Sequence, residues 1–188
     1  AMVMLYAGLR KGEALALEMS DIDLTAGVIH VRKALRWTVN QPTLVAPKTA
    51  AGVRDVPILS PLRPVLESRI GRIAESERGL PMSHTGFMQA WEAYNRALSR
   101  AAGHPVNIRP HDLRHSFCAM LMDAGVDIIQ AMIWMGHADE KMILRIYDHV
   151  GEKRTQNSVK QVEKMLNGMQ NGMQDASESQ KALINQGV

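Results

Sequence analysis

The chain of 188 residues has little cysteine and few aromatic residues. A lone cysteine, Cys118, cannot form a disulfide within the chain, which favours a reducing, cytoplasmic compartment. Aromatic residues make up only 4% of the sequence, whereas 13 residues are methionine. A hydrophobic core must therefore consist mainly of aliphatic and thioether side chains, a composition that leans towards helices.

The sequence also lacks a long apolar run and a secretory leader. Its longest apolar stretch, residues 1–9, is about half as long as a membrane-spanning helix and is closed by Arg10 and Lys11. We therefore expect no membrane partner. Because residue 1 enters an apolar helical pattern directly, without a helix cap, we expect the chain to be a fragment whose upstream part is missing.

Charge and hydrophobic content indicate one globular domain with a polyanionic partner. The formal net charge is +3 and the basic residues are clustered, which weakly favours a partner such as nucleic acid. The hydrophobic fraction of 46% is enough for one core. We expect a domain over 1–166 and a flexible tail over 167–188, where Asn, Gln and Ser replace the apolar periodicity.

Hydrophobic periodicity predicts a mainly α-helical domain with a small antiparallel β-sheet, an α+β fold. Two helices broken at Gly8 are expected over 2–19, and strands over 28–37 and 53–58 with a hairpin turn at 47–52 between them. Further helices are predicted from Ser60, which would cap the first, to about residue 70, and over 83–102, 110–123, 127–135, 139–147 and 153–166.

Two short patterns in the first third of the chain are unremarkable by themselves. Residues 8–13 read Gly-Leu-Arg-Lys-Gly-Glu, and in isolation Arg10 would be a surface residue that pairs locally with Glu13. Lys48 lies in the predicted hairpin turn, where lysines commonly remain solvated.

A third pattern opens the helix after Pro110. Residues 111–115 read His-Asp-Leu-Arg-His, which puts His111 and Arg114 on one side of the helix, about one turn apart. A zinc site is the competing interpretation, because His111 and His115 have the i, i+4 spacing of a metalloprotease helix. Aspartate in place of glutamate, and a nearby Arg114, disfavour zinc.

A fourth pattern is Gly136-His137, followed ten residues later by Tyr147. Alone, it indicates that His137 caps a turn and that Tyr147 fills core space with its hydroxyl group hydrogen-bonded.

In combination, the four patterns resemble the catalytic domain of the tyrosine recombinase family, of the phage-integrase type. The family signature is an arginine, a hairpin lysine, His-x-x-Arg, Gly-His and a nucleophilic tyrosine, in that order. The matching residues here are Arg10, Lys48, His111, Arg114, His137 and Tyr147. The resemblance covers residues 5–150 and is most specific over 111–150. It departs at residues 6–8, Tyr-Ala-Gly, where a Thr-Gly pair is common before Leu-Arg.

The resemblance implies a cofactor-free enzyme that cuts and rejoins double-stranded DNA through a 3′-phosphotyrosine at Tyr147, in integration or excision of a mobile element. Neither ATP nor a metal would be required. Arg10, Arg114 and His137 would bind the phosphate oxygens, and His111 would be a base near the phenol. Lys48 would protonate the leaving 5′ oxygen. Glu13 would hold the pocket together, and His115 would support the site without contacting the phosphate.

The resemblance also implies an assembly. Homo-oligomers are expected, as tetramers on paired DNA sites, and the helix at 153–166 would be available to dock on a neighbouring protomer. DNA-bending or directionality proteins are the expected accessories. The family's N-terminal DNA-clamping domain and the first helices of the catalytic domain would precede residue 1.

Two other functions remain open at this level. A type IB topoisomerase uses similar chemistry on one strand and would relax supercoils at many sites. A non-catalytic DNA-binding or assembly module would form no covalent adduct with DNA.

Overall fold

A computed structural model of the chain describes residues 1–47, 49–76 and 79–136. Lys48, His137 and Tyr147 lie outside these ranges, as do the helices predicted at 139–147 and 153–166 and the tail predicted at 167–188.

The described chain is mainly helical with small antiparallel sheets, which confirms the predicted fold class. In chain order the elements are α1 (Met2–Tyr6), α2 (Lys11–Ala16), β1 (Ile22–Asp23), β2 (Val28–Val31), β3 (Ala34–Thr38), β4 (Gln41–Val45), β5 (Arg54–Pro57), α3 (Arg63–Glu67), α4 (His84–Ala102), α5 (Pro110–Asp123) and α6 (Ile128–Met135).

The strands form two sheets rather than one. A three-stranded sheet has the order β1-β2-β5, and β3 pairs with β4 in the other, two-stranded sheet. The strand predicted over 28–37 is therefore two strands, because the chain leaves the first sheet after Val31 and enters the second at Ala34. The predicted alternation holds within β2, where Ile29 and Val31 are buried.

The hairpin turn predicted at 47–52 is wrong. The actual hairpin joins β3 to β4 through Val39 and Asn40, since Thr38 pairs with Gln41. The amide oxygen of Asn40 accepts a hydrogen bond from the backbone nitrogen of Thr85 at 2.8 Å, which ties this turn to the start of α4. The segment before β5 instead connects one sheet to the other and contains a 3-10 turn at Ala50–Gly52.

Local capping signals predicted most of the helix ends. The Ser83 hydroxyl accepts a hydrogen bond from the backbone nitrogen of Gly86 at 3.1 Å and caps α4, and α5 has the predicted bounds. Two predicted ends are wrong. Helix α2 ends at Ala16 instead of residue 19, because Leu17 is extended, and the helix expected from Ser60 is shorter and begins later. Leu62, not Ser60, precedes α3, which has five residues, and Ile70 is 94% exposed instead of joining an apolar stripe.

Packing brings three distant parts of the described chain together. Helix α1 packs against α5, α2 against β3, and α6 against β5. Buried apolar side chains from the helices and strands form a core that includes Val3, Met4, Leu9, Leu15, Ile29, Val56, Phe87 and Trp91. The start of α2, the start of β5 and the end of α6 consequently meet. No helix within the described ranges has the length and hydropathy needed to span a membrane.

Candidate active site

Arg10 immediately precedes α2 and is held by Glu13, one turn further on. One carboxylate oxygen of Glu13 accepts from the Arg10 backbone nitrogen and the other from Nη1, each at 2.8 Å. The local pairing expected from the sequence is therefore confirmed. The Arg10 side chain is 43% exposed, so its guanidinium reaches solvent while Glu13 below it is buried.

Glu13 also pairs with Arg54, the first residue of β5. The Arg54 Nη2 donates to one Glu13 oxygen at 2.8 Å, and Nη1 donates to the other at 3.1 Å. Both residues are only 5% exposed. Glu13 thus links an exposed guanidinium to a buried one on another element.

Arg114 lies on the buried side of α5 and is 1% exposed. Its two terminal nitrogens donate to the carbonyl oxygens of Gly8 and Met135. Gly8 has a φ of +61°, and a Cβ there would lie 2.3 Å from Cδ1 of Phe117. Only glycine fits this close, left-handed turn, which aims a carbonyl oxygen at Arg114.

Three arginines converge on the C-terminal end of α6. Arg54 Nε donates to the carbonyl oxygen of Trp134 at 2.7 Å, Arg114 to that of Met135, and Arg10 Nη2 to that of Gly136 at 2.7 Å. A helix C-terminus carries partial negative charge and unpaired carbonyl groups, so it suits cations. These three consecutive carbonyls set the relative positions of three guanidiniums that are far apart in the sequence.

The cluster carries excess positive charge. Among the described residues, Glu13 is the only carboxylate that pairs with these arginines. Burial alone would raise the pKa of Glu13, but hydrogen bonds and charge from Arg54, with hydrogen bonds from Arg10, lower it to about 2. Burial, followed by the charge of Arg10, lowers the pKa of Arg114 to about 9, which leaves it protonated at neutral pH. The site is thus suited to an anion.

His111 and His115 lie beside this cluster on α5, with ring centroids 4.3 Å apart in an edge-to-face arrangement. Desolvation, then the charges of His115 and Arg114, lower the pKa of His111, which favours the neutral, proton-accepting form. The Asp112 carboxylate accepts a hydrogen bond from the backbone nitrogen of Arg109 at 2.8 Å. Within the described ranges, no three His, Cys, Asp or Glu side chains form a metal-binding group.

A cavity of about 830 Å³ adjoins Arg10. Lys11 and Trp37 line it, with the Lys11 ammonium 4.8 Å from the Trp37 ring centroid. Pro47 and Thr49, the sequence neighbours of Lys48, also line this cavity. Its walls thus combine the cations of Arg10 and Lys11 with the aromatic side chain of Trp37.

The model of the phage integrase family matches residues 1–154. The chain belongs to the phage integrase family. The resemblance to tyrosine recombinases that the four sequence patterns indicated is thereby confirmed.

Relatives named as an integrase and as a tyrosine recombinase support this membership. The chain is 31% identical over 159 residues to the ICEBs1 integrase of Bacillus subtilis, with 79% of the chain and 43% of the relative covered. It is 30% identical over 164 residues to the tyrosine recombinase XerD of Listeria monocytogenes, with 85% and 52% covered. The chain of this integrase-family member thus spans about half the length of these curated relatives.

The fold also matches a solved integrase structure. The Tn1549 transposon integrase (residues 82–397 of that protein), in complex with circular intermediate DNA, superposes with a TM-score of 0.70 at 22% identity. The match covers 85% of this chain and 57% of that one. The chain therefore shares the fold of that integrase over the matched part.

The structure brings some of the predicted site residues together and adds one that the sequence did not single out. Arg10, Glu13 and Arg114 meet at the end of α6, with His111 and His115 nearby on α5. The missed residue is Arg54. The two-residue alternation of β5 could have identified it. Arg54 lies on the same face of the strand as the buried Val56, and a buried cation requires a partner.

Proposed function

We propose that the chain is the DNA-breaking and rejoining part of a site-specific recombinase, which acts through a 3′-phosphotyrosine at Tyr147. The observation that carries the proposal is that Arg10 and Arg114 donate to consecutive carbonyl groups, those of Gly136 and Met135, immediately before His137 in the sequence. Relatives that are named integrases and a solved integrase in complex with DNA support the same reaction class.

The arginine cluster suits a phosphodiester in the act of substitution. Negative charge on the nonbridging oxygens increases in the transition state, and guanidiniums meet it with fixed, planar donors that stay protonated. Arg10 is exposed enough to bind an incoming oxygen. The Arg114 Nε has no acceptor among the described residues, so this guanidinium retains a donor for an oxygen outside them.

The other predicted site residues act in successive steps of strand cleavage. The Tyr147 oxygen attacks the phosphorus, and the bond from phosphorus to the 5′ oxygen breaks. A phenol has a pKa of about 10, so a neutral base such as His111 must accept its proton. Lys48 gives a proton to the 5′ oxygen, and His137 donates a hydrogen bond to the phosphate with the two arginines. The free 5′ hydroxyl of another strand reverses the step without ATP or metal.

The proposal includes an assembly on double-stranded DNA. We infer that residues 1–166 act as the catalytic domain, that 167–188 form a tail, and that protomers pair as a tetramer on two sites in the cytoplasm. Integration or excision of a mobile element is the task that agrees with the ICEBs1 relative. DNA-bending or directionality proteins are the expected accessories.

A nicked suicide substrate tests the reaction. The full-length protein is incubated with end-labelled nicked duplexes that tile the DNA flanking its gene, and adducts are separated on a denaturing gel. We expect a covalent adduct that Tyr147→Phe abolishes. Tyr94→Phe is the matched control, since Tyr94 packs against Trp91 at a tilted angle, with ring centroids 5.2 Å apart, and does not line the cavity beside Arg10.

Two results would defeat the proposal: no adduct from folded, DNA-binding protein, or an adduct that survives Tyr147→Phe. The former would favour a non-catalytic module. Relaxation of supercoiled DNA without site preference would favour a type IB topoisomerase, which the names of the relatives do not support.

A further inference from the structure

Glu13 presents an electrostatic difficulty for an anion site. Its carboxylate accepts two hydrogen bonds from Arg10, the most exposed of the three clustered arginines. A one-to-one pair of these residues would fix the guanidinium but would also cancel its charge. A phosphate that approached Arg10 would then encounter a neutral pair.

Arg54 resolves this difficulty because it binds the same carboxylate from the buried side. It occupies both Glu13 oxygens, at 2.8 and 3.1 Å. Two guanidiniums therefore share one carboxylate, and the group of three keeps a net positive charge. Arg114 adds a further positive charge, with no carboxylate partner among the described residues.

The other contacts of Arg54 fix it in the fold. Its Nε donates to the carbonyl oxygen of Trp134 at 2.7 Å, and Nη1 donates to that of Gly52 at 3.3 Å. A Cβ at Gly136 would approach Cδ and Nη1 of Arg54 to 2.9 Å, so the turn that ends α6 lies directly on this side chain. Arg54 thereby joins the start of β5, the carboxylate of Glu13 and the end of α6.

We propose that Arg54 is a positioning residue that offsets the charge of Glu13, so that Glu13 can orient Arg10 while the arginine cluster remains positive enough to bind a phosphodiester. Arg54 is too buried to touch DNA itself, and it acts through Glu13 and Arg10. The inference rests on the proposed function for its phosphate ligand, but its test does not require DNA cleavage.

The test uses inorganic phosphate as the probe and the Nε signals of Arg10 and Arg114 in nitrogen-15 NMR spectra of the full-length protein. Phosphate is titrated against chloride at equal ionic strength. Arg54→Gln removes the offsetting charge and should raise the phosphate Kd by about ten- to a hundredfold. Arg63→Gln is the matched control, since Arg63 also donates to a backbone carbonyl, that of Leu24 at 2.9 Å, and its side chain is 41% exposed. It should leave the Kd unchanged.

The double variant Glu13→Gln/Arg54→Gln tests whether Arg54 acts through its charge or only through its structural contacts. It removes one negative and one positive charge, so the net charge of the cluster returns to its original value. Its phosphate Kd should return to within about tenfold of wild type, because the amide oxygen introduced at position 13 can still accept one of the two hydrogen bonds from Arg10, and that of Arg54→Lys should stay within the same range. Should Arg54→Gln fail to fold, the Arg54→Lys and double variants still carry the test.

A second measurement distinguishes an effect on the chemical step from an effect on DNA binding. With a suicide duplex, Arg54→Gln should lower the single-turnover cleavage rate at least about tenfold and change the DNA Kd less than about threefold, because contacts to many phosphates dominate DNA affinity.

Three outcomes overturn the proposal: Arg signals of wild type that do not respond to phosphate, an unchanged phosphate Kd in folded Arg54→Gln, or a double variant or Arg54→Lys that binds phosphate more than about tenfold more weakly than wild type. Absence of a covalent adduct in wild type defeats the proposed recombinase function alone, because the phosphate series is read independently of cleavage.

Discussion

Glu13 and Arg54 form a buried ion pair between the first turn of α2 and the start of β5, with both residues 5% exposed. Transfer of either charge from water is costly, and their mutual hydrogen bonds offset that cost only while both are present. The pair therefore makes the folded state sensitive to any change that removes one partner. This sensitivity provides the first two predictions.

Replacement of Glu13 by Gln should destabilise the protein by about 3 to 5 kcal/mol, because Arg54 would remain charged and buried without an anion. Urea denaturation measures the free energy of unfolding. Asp55→Asn is the matched control on the same strand. Asp55 pairs with Arg32 but is 52% exposed, so its loss should cost less than about 1 kcal/mol. Equal losses for the two variants would contradict the buried pair.

Acid should weaken the fold through the same carboxylate. The folded pKa of Glu13 is about 2, below the ordinary value of 4.5, so the unfolded chain binds more protons between these values. The stabilisation is complete above pH 4.5 and is lost as the pH falls towards 2. The free energy of unfolding of wild type should therefore fall by roughly 3 kcal/mol more than that of Glu13→Gln over this range. Parallel pH curves for the two proteins would contradict the assignment.

Substitution of two glycines with positive φ distinguishes the cost of backbone strain from the cost of a steric overlap. Gly8→Ala should destabilise the protein by about 2 to 4 kcal/mol, since the new methyl group adds an overlap with Phe117 to the cost of positive φ. Gly103→Ala, at a φ of +72° with no atom within 4 Å of its Cβ, should cost only about 1 to 2 kcal/mol. Thermal denaturation compares them. A smaller loss at Gly8 than at Gly103 would count against the close approach to Phe117.

The rate of adduct formation should depend on His111 in its neutral form. Desolvation and the charges of His115 and Arg114 lower the pKa of His111, so the acid limb of the pH-rate profile should lie below 6.5. His115→Asn removes one of these charges and should move the limb to higher pH. His104→Asn, an exposed histidine beyond α4, should leave it unchanged. If His111→Gln keeps the acid limb, another group is the base.

Features that depend on neighbouring residues were predictable from the sequence. Ser83 and Gly103 delimit α4, and Asp127 and Gly136 delimit α6, since caps and left-handed turns require only local contacts. The position of Arg10 before α2 and its bond to Glu13 were predictable for the same reason.

Features that depend on distant partners were not predictable. Pro42 obscured β4, because proline weakens a strand pattern and is tolerated here in a strand that, within the described ranges, pairs on one side only. Arg54 looked like an ordinary strand residue until the fold brought Glu13 and Trp134 to it. The convergence of three arginines on consecutive carbonyls follows from the packing of α6 against β5 and α5, which no local pattern encodes.

The most direct test of the account is to identify the amino acid that becomes linked to DNA. The adduct from a suicide duplex is digested with nuclease and trypsin, and the modified peptide is sequenced by mass spectrometry. We predict a nucleotide joined through its 3′ phosphate to the oxygen of Tyr147, with a free 5′ hydroxyl group on the released strand. A phosphate bound to any other side chain, or through a 5′ linkage, would contradict the account.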